Sequence, residues 1–290
     1  MTQAKFLQDR YVKIGSIKTR YWCAGDSGSP IVLLHGAGSS IEAWSRNIHA
    51  LAQSHQVYAF DMVGSGLSDK PFANYSLEYQ GQFLRDFINA LKLQRAAFVG
   101  HSMGASLALK LTLESPEQVE KLVLVSTFGL GREISIASRL LAAFPLIVHL
   151  SQPSPRNVKL ILQQNVYNLK SVPNEWIEMR SEAFKLPGRK QAFVSFLKSN
   201  INLLGVRRSV FRPIVSSLAN VTVPTLIIWG KQDKIVPVAH AHIAARQIPN
   251  AHLHVFDQCG HWAQFEHPQE FNQLVVEFLT AAQQIDGAVV

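Results

Sequence analysis

An α/β fold with a mostly parallel central sheet flanked by helices is predicted by three observations. Short runs that are apolar throughout recur along the chain, glycine follows each within a few residues, and helical patterns separate them. Strands with no polar face need cover on both sides, and the crossover helices of a parallel sheet supply it. With 290 residues, 47% hydrophobic and 17% charged, the chain is long and apolar enough to bury such a core.

The elements follow in order. Ile31-Val32-Leu33-Leu34 reads as a buried strand ended by His35-Gly36, and Val57-Tyr58-Ala59-Phe60 as another, ended by Asp61, Gly64 and Gly66. Ser76 is placed to cap a helix whose apolar positions are Phe83, Phe87, Ile88 and Leu91. Ala96-Ala97-Phe98-Val99 and Leu122-Val123-Leu124-Val125 are strands separated by a helical run over 105–111. After Gly129 and Gly131 the pattern changes. Residues 132–210 carry no strand pattern, only helical spacing punctuated by Pro145, Pro153, Pro155, Pro173 and Pro187. Alternation resumes at Thr225-Leu226-Ile227-Ile228-Trp229 and His252-Leu253-His254-Val255-Phe256, and a helix over 268–282 closes the chain. The expected organisation is therefore a core domain of 1–130 and 211–290, interrupted by a helical insertion over 131–210. Sites in open parallel sheets lie at the carboxyl ends of the strands, so an insertion leaving from that edge covers the site as a cap.

Charge separates the same segments. Residues 131–212 hold 13 Lys and Arg against 4 Asp and Glu, a balance of +9, and the remainder balances at −1. The basic excess has three readings: solvated helix surface, focusing of an anionic substrate, or contact with an acidic membrane surface. No nucleic-acid-binding motif accompanies it. The longest apolar stretch, residues 140–150, is broken by Pro145 and His149 and is too short to cross a bilayer. Residues 1–10 lack the apolar core of a secretory signal, and Cys23 and Cys259 stand far apart, as isolated thiols in a reducing compartment do. A soluble cytoplasmic protein with no stable membrane insertion is expected, and no metal-type Cys/His spacing occurs.

The chemistry centres on Gly100-His101-Ser102-Met103-Gly104, which reads G-x-S-x-G between a strand and a helix. A serine on such a sharp turn projects its hydroxyl where a base can reach it, and the turn needs very small residues two positions to either side. The hydroxyl is a weak nucleophile and requires a histidine oriented by a carboxylate. In this arrangement the partners follow in the order serine, acid, histidine. Asp233, beyond the strand ending at Trp229, and His261, beyond the strand ending at Phe256, meet that order. Of the rival acids, Asp61 precedes the nucleophile and Asp257 stands close to His261 in sequence; His35 precedes the serine, and His252 and His254 lie inside a strand. The backbone N–H groups of Met103 and of Ala37, in His35-Gly36-Ala37-Gly38, are the candidate oxyanion donors; the bland alternative for this loop is a plain glycine turn.

On these segments, with Asp61-Met62-Val63-Gly64-Ser65-Gly66-Leu67-Ser68, the chain resembles the α/β-hydrolase family over essentially its full length. The resemblance implies an α/β-hydrolase fold with a helical cap inserted after the sixth strand. The closing segment, from Leu253 through Cys259-Gly260-His261-Trp262 to Glu270-Phe271-Asn272, looks like the meta-cleavage-product hydrolases. Those enzymes cut a carbon–carbon bond in 2-hydroxy-6-oxo-dienoates, carry a helical lid, form dimers or larger assemblies and use no cofactor. The likeness implies that Trp262 lines the substrate cavity and that Arg180 is the lid arginine meeting the substrate's oxygens, with Gly36 and His101 along the same pocket. Core packing for Trp262 and a solvated helix surface for Arg180 are the alternatives. The chain also departs from that subfamily. His101 stands where asparagine is usual, Ser39-Ser40 replaces a proline–glycine pair, and Arg46-Asn47 stands near the position of an asparagine that binds the substrate carboxylate. The expected function is thus a serine hydrolase cleaving a dienoate. A carboxylesterase for a medium-sized or lipid-like ester is the alternative, and a non-catalytic ligand receptor on the same fold a further one.

Overall fold

Two strands that the apolar runs do not announce come first. The computed structural model describes residues 7–281, so residues 1–6 and Ala282 of the expected last helix lie outside it. β1 (Arg10–Ile14) and β2 (Ile17–Ala24) form an antiparallel hairpin. Its two-residue turn begins at Gly15 with φ +59°, the conformation a glycine-first hairpin turn requires. These strands interleave charged residues with apolar ones and are only partly buried, so they lack the all-apolar signature of the central strands.

The chain continues through β3 (Pro30–Leu34), the short helix α1 (Ile48–Leu51), β4 (Gln56–Phe60), α2 (Leu77–Ala90), β5 (Ala96–His101), α3 (Met103–Glu114) and β6 (Val119–Val125). Ser76 caps α2, its hydroxyl accepting from the Tyr79 amide at 3.2 Å, and Phe83, Phe87 and Ile88 turn inward. The insertion contributes α4 (Ile136–Ala143), α5 (Leu146–Leu150), α6 (Pro155–Asn165), α7 (Asn174–Lys185), α8 (Arg189–Asn200), β7 (Ile201–Asn202), β8 (Gly205–Val206) and α9 (Arg208–Val215). The core resumes with β9 (Thr225–Gly230), α10 (Ala239–Gln247), β10 (Ala251–Phe256), α11 (Ala263–Glu266) and α12 (Pro268–Thr280).

The sheet order is β1-β2-β4-β3-β5-β6-β9-β10; β2 pairs antiparallel with β1 and β4, and every other pairing is parallel. Successive residues of a strand point to opposite faces, and the core divides accordingly. Val32, Leu34, Phe98, Leu124 and Trp229 pack on one face with α2, α3 and α10. Ile31, Leu33, Val99, Val125 and Ile228 pack on the other with α1 and α12. Each fully buried Leu or Ile contributes about 1.5–3 kcal/mol, so the four central strands dominate the fold's stability. A third cluster, including Val158, Leu162, Trp176, Trp262 and Phe265, joins the insertion to α11.

The expectation of a strand-free insertion is corrected by β7 and β8, which pair antiparallel at Ile201↔Val206. Two-residue strands are too short to carry a periodic signal. They have a mechanical consequence, because the Val206 amide donates to the Arg132 carbonyl at 2.9 Å and ties the insertion's exit to its entry. The expected boundary at 210–211 falls inside α9, and α12 ends at Thr280.

The carboxyl ends of β3, β5, β9 and β10 lie along one edge of the sheet. There the backbone crosses closely: a Cβ on Gly100 would stand 2.5 Å from Ala105 Cα, and one on Gly104 would stand 2.3 Å from the Leu34 carbonyl oxygen. Gly104→Ala must therefore push α3 away from β3. A loss of about 1–3 kcal/mol is expected, read from urea unfolding; an unchanged midpoint would show that the turn has slack.

Candidate active site

Ser102 links β5 to α3 with φ +53° and ψ −115°, a conformation costing a non-glycine residue roughly 1–3 kcal/mol. Surrounding bonds hold it there. Its amide donates to the Val125 carbonyl at 2.8 Å, and its carbonyl accepts from the Ser106 and Phe128 amides, both at 3.2 Å. The side chain is left facing a cavity of about 410 Å³ between the sheet edge and the insertion, whose lining includes Gly36, Ala37, His101, Met103, Arg180, His261 and Trp262. Met103 opens α3, so its N–H points out of the positive end of the helix.

Asp233 and His261 meet across the ends of β9 and β10. Asp233 Oδ1 accepts from the Ile235 and Val236 amides at 2.8 and 3.0 Å, while Oδ2 lies 2.7 Å from His261 Nδ1. A carboxylate so placed accepts a hydrogen bond from Nδ1–H and leaves Nε2 as the unprotonated ring nitrogen. The Asp233 side chain has no solvent exposure, which strengthens the pairing. The His261 amide donates to the Asn165 carbonyl at the end of α6, at 2.6 Å. Among the described residues no hydrogen bond joins Ser102 Oγ to His261; such contacts commonly tighten only around substrate.

The rival groups are engaged elsewhere. Asp61 is buried, its carboxylate accepting from the Ile41 and Leu67 amides at 2.9 and 2.8 Å and from Arg20 at 3.3 Å. Asp257 stands exposed beside Lys231 and Gln232. His35 is wholly buried: Nδ1 donates to the Gly36 carbonyl at 2.8 Å and Nε2 accepts from the Met62 amide at 3.1 Å. Burial pushes its pKa down to about 4, so it is a neutral strut under the glycine loop. That loop turns tightly, with Ser39 N–H to Gly36 O at 3.1 Å and Gly38 at φ +70°. A Cβ on Gly36 would meet His101 Nδ1 at 2.9 Å and Ser102 Cβ at 3.1 Å, so only glycine lets the loop lie against the Ser102 turn.

His101 is also buried. Its Nε2–H donates to the His261 carbonyl at 2.8 Å, its ring centre stands 4.8 Å from that of His261, and Nδ1 has no partner among the described residues. Burial first, and the neighbouring His261 second, hold its pKa well below the ordinary histidine value. A neutral ring donating to the backbone of His261 positions that residue.

Arg180, on α7, projects deep between insertion and core. Its guanidinium donates to the Gly38 carbonyl at 3.0 Å and to Ser39 Oγ at 3.3 Å, between Trp176 and Trp262, whose rings lie 4.8 and 5.0 Å away. Trp262 packs edge-on against Trp176 at 5.0 Å while its other border faces the cavity, so it both packs and lines. Arg189, which motif reading passed over, donates to the Gly64 and Ser39 carbonyls at 2.9 and 3.0 Å. Among the described residues neither arginine is ion-paired. Burial first, then Arg189's charge, pushes the Arg180 pKa down to about 9, and the group stays largely cationic at neutral pH. A half-buried cation without an acidic partner on a cavity wall favours an anion.

Arg46-Asn47, where the chain departs from the subfamily pattern, makes packing contacts. Asn47 Nδ2 donates to the Gln264 carbonyl and to Asn272 Oδ1, and Arg46 bonds the Phe265 carbonyl and stacks over the Phe265 ring. Both pin the start of α1 to α11 and α12, and neither lines the cavity. Asn165 and Glu266 were missed as well. Glu266 accepts from the Gly260 and Tyr167 amides at 2.9 and 2.6 Å and so shapes the histidine loop. Their partners are backbone groups, which leave no mark on composition.

The alpha/beta hydrolase fold family matches this chain over residues 29–268. The chain is 33% identical over 277 residues to a 2-hydroxy-6-oxononadienedioate/2-hydroxy-6-oxononatrienedioate hydrolase from Cupriavidus pinatubonensis, covering 92% of this chain and 93% of that one. It is 30% identical over 288 residues to a 2-hydroxy-6-oxo-2,4-heptadienoate hydrolase from Pseudomonas putida, covering 97% and 99%. A solved structure of the meta-cleavage product hydrolase from Pseudomonas fluorescens IP01 superposes with a TM-score of 0.79 at 30% identity, covering 94% and 97%.

Proposed function

The chain belongs to the alpha/beta hydrolase fold family, and from that premise we propose that it is a serine-dependent hydrolase cleaving a carbon–carbon bond in 2-hydroxy-6-oxo-dienoates. The observation that carries the substrate class is Arg180, a half-buried cation with no acidic partner among the described residues, on the wall of an otherwise mainly apolar cavity that also holds Ser102 and His261. An anionic head on Arg180 leaves the rest of the substrate lying along the apolar walls, which include Phe128, Ile134, Leu141 and Phe193.

Residues 131–210 act as the cap over a core of 1–130 and 211–290. In the reaction, the dienol is first ketonised. Ser102 Oγ then attacks the 6-oxo carbon while His261 Nε2 takes its proton, with Asp233 holding the imidazolium that forms. The amides of Ala37 and Met103 bind the oxyanion, each donor worth about 2.7–4 kcal/mol in the transition state. Collapse breaks the carbon–carbon bond, its electron pair passing into the conjugated oxo system of the leaving fragment, which takes up the proton held on His261 and leaves the imidazole neutral. Water activated by the same histidine hydrolyses the acyl-enzyme and regenerates Ser102. No cofactor is needed. A cytoplasmic setting with two free thiols suits this role.

His101 favours a second reading, a carboxylesterase, because the asparagine usual before the nucleophile in the C–C hydrolases is replaced here and the cavity walls suit a medium-length acyl chain. Assaying a 2-hydroxy-6-oxo-dienoate beside a panel of aryl esters decides between them. Ester turnover without dienoate cleavage removes the C–C assignment. Arg180→Leu is expected to lower kcat/KM for the dienoate by about 10²–10³-fold, the cost of losing a buried charged partner, while a neutral ester changes by less than about threefold. Equal losses for both would make Arg180 a brace for the Gly36–Gly38 turn rather than a substrate contact.

A further inference from the structure

We infer that the rim of the insertion formed by α4, α5 and α6 docks on the surface of an anionic lipid bilayer, so that the cavity opens toward the membrane. Among the described residues, eight large apolar side chains between Ile136 and Ile161 stand exposed. They follow helix geometry. Ile136, Leu140 and Phe144 are four residues apart, as are Leu146 and Leu150, so each set shares one outward face. Ile136 and Leu150 are 71% and 76% exposed, whereas the opposite faces of α4 and α5 turn Leu141 and Val148 to the cavity. A patch of this kind on one face is a docking surface rather than the ordinary scatter of surface apolar residues.

Two further observations identify the occupant. From residue 134 to residue 174 the chain has no Asp or Glu, while Arg139, Arg156, Lys159 and Lys170 occur within it, in an insertion whose balance is +9 over 131–212. Apolar side chains interspersed with basic ones and free of acids match a lipid surface carrying negative headgroups. A second copy of this chain would bring a like-charged face against it, which is repulsive. The patch is also continuous with the cavity. Ile147, Leu160 and Ile161 line the cavity and are exposed at the surface as well, which marks where it opens. No helix among the described residues is long and apolar enough to cross a membrane, so the docking is peripheral. It does not depend on which bond the enzyme cleaves.

Flotation of the full chain with phosphatidylcholine vesicles, with and without phosphatidylglycerol, tests this. The protein is expected to float with the phosphatidylglycerol vesicles at low salt, to be released as salt rises, and to stay behind with phosphatidylcholine alone. Leu146→Asp with Leu150→Asp, and separately Arg156→Glu with Lys159→Glu, should each weaken partitioning by at least about tenfold, with far-UV circular dichroism and thermal midpoint unchanged. Should the aspartate pair unfold the insertion, the charge reversal at exposed positions carries the test alone. Wild type that does not float, or variants that float as wild type does, would overturn the inference. So would concentration-dependent dimers in sedimentation velocity that the aspartate pair abolishes, with no vesicle binding, because the patch would then belong to a copy–copy interface.

Discussion

Ser102→Ala is expected to lower kcat for every substrate by about 10⁶-fold while leaving the unfolding midpoint close to that of the wild type. The loss should be this large because the hydroxyl is the only group in the arrangement that would form the covalent bond. Asp233, His261 and the two amides have nothing to assist once it is gone. Alanine keeps the Cβ, and the left-handed conformation at position 102 is held by bonds of its amide and carbonyl, to Val125, Ser106 and Phe128; the turn should survive. Labelling by a fluorophosphonate probe gives an independent readout. Wild type that stays unlabelled, or labels no faster than Ser102→Ala, would sink the hydrolase mechanism and favour a ligand receptor on the same fold.

Asp233→Asn should lower kcat by about 10⁴-fold with KM little changed. The argument rests on which atoms the carboxylate serves. Oδ1 accepts from two backbone amides, of Ile235 and Val236, and Oδ2 faces His261 Nδ1. In asparagine the oxygen stays on the amides and the NH₂ group turns to the histidine. Nδ1 must then accept, the imidazole proton moves to Nε2, and the nitrogen facing the cavity can no longer take the Ser102 proton. A loss below about tenfold would show that another acid serves His261, although Asp61 is committed to Arg20 and two amides and Asp257 to the surface.

The turn at Ser102 is legible in the sequence because its glycines stand close together. Gly100 and Gly104 stand within five residues of one another, and the approaches that forbid a Cβ there involve Ala105 and the neighbouring strand at Leu34. The central strands are legible for a similar reason, since burial on both faces leaves an unbroken apolar run. β1 and β2 are not: half-buried strands at the end of the sheet mix charged and apolar residues, and their pairing is settled only by what lies beside them. The role of Asn47 is equally illegible. A polar residue near a suggestive place in the sequence is recruited to hold α1 against α12, and only the distance to the cavity reveals it.

By itself the sequence determined the α/β alternation and the sharp turn at Ser102, because each is written in short runs of consecutive residues. The tertiary structure alone decided what depends on groups far apart in the chain. It set the bond from His101 to the backbone of His261 across 160 positions, the clamp of Asn165 on the same residue, and the place of Arg180 over the glycine loop. It also decided that the apolar residues of α4 and α5 divide between the cavity and the outer surface. Such contacts follow from how the sheet edge and the insertion close on each other, and no local spacing encodes them.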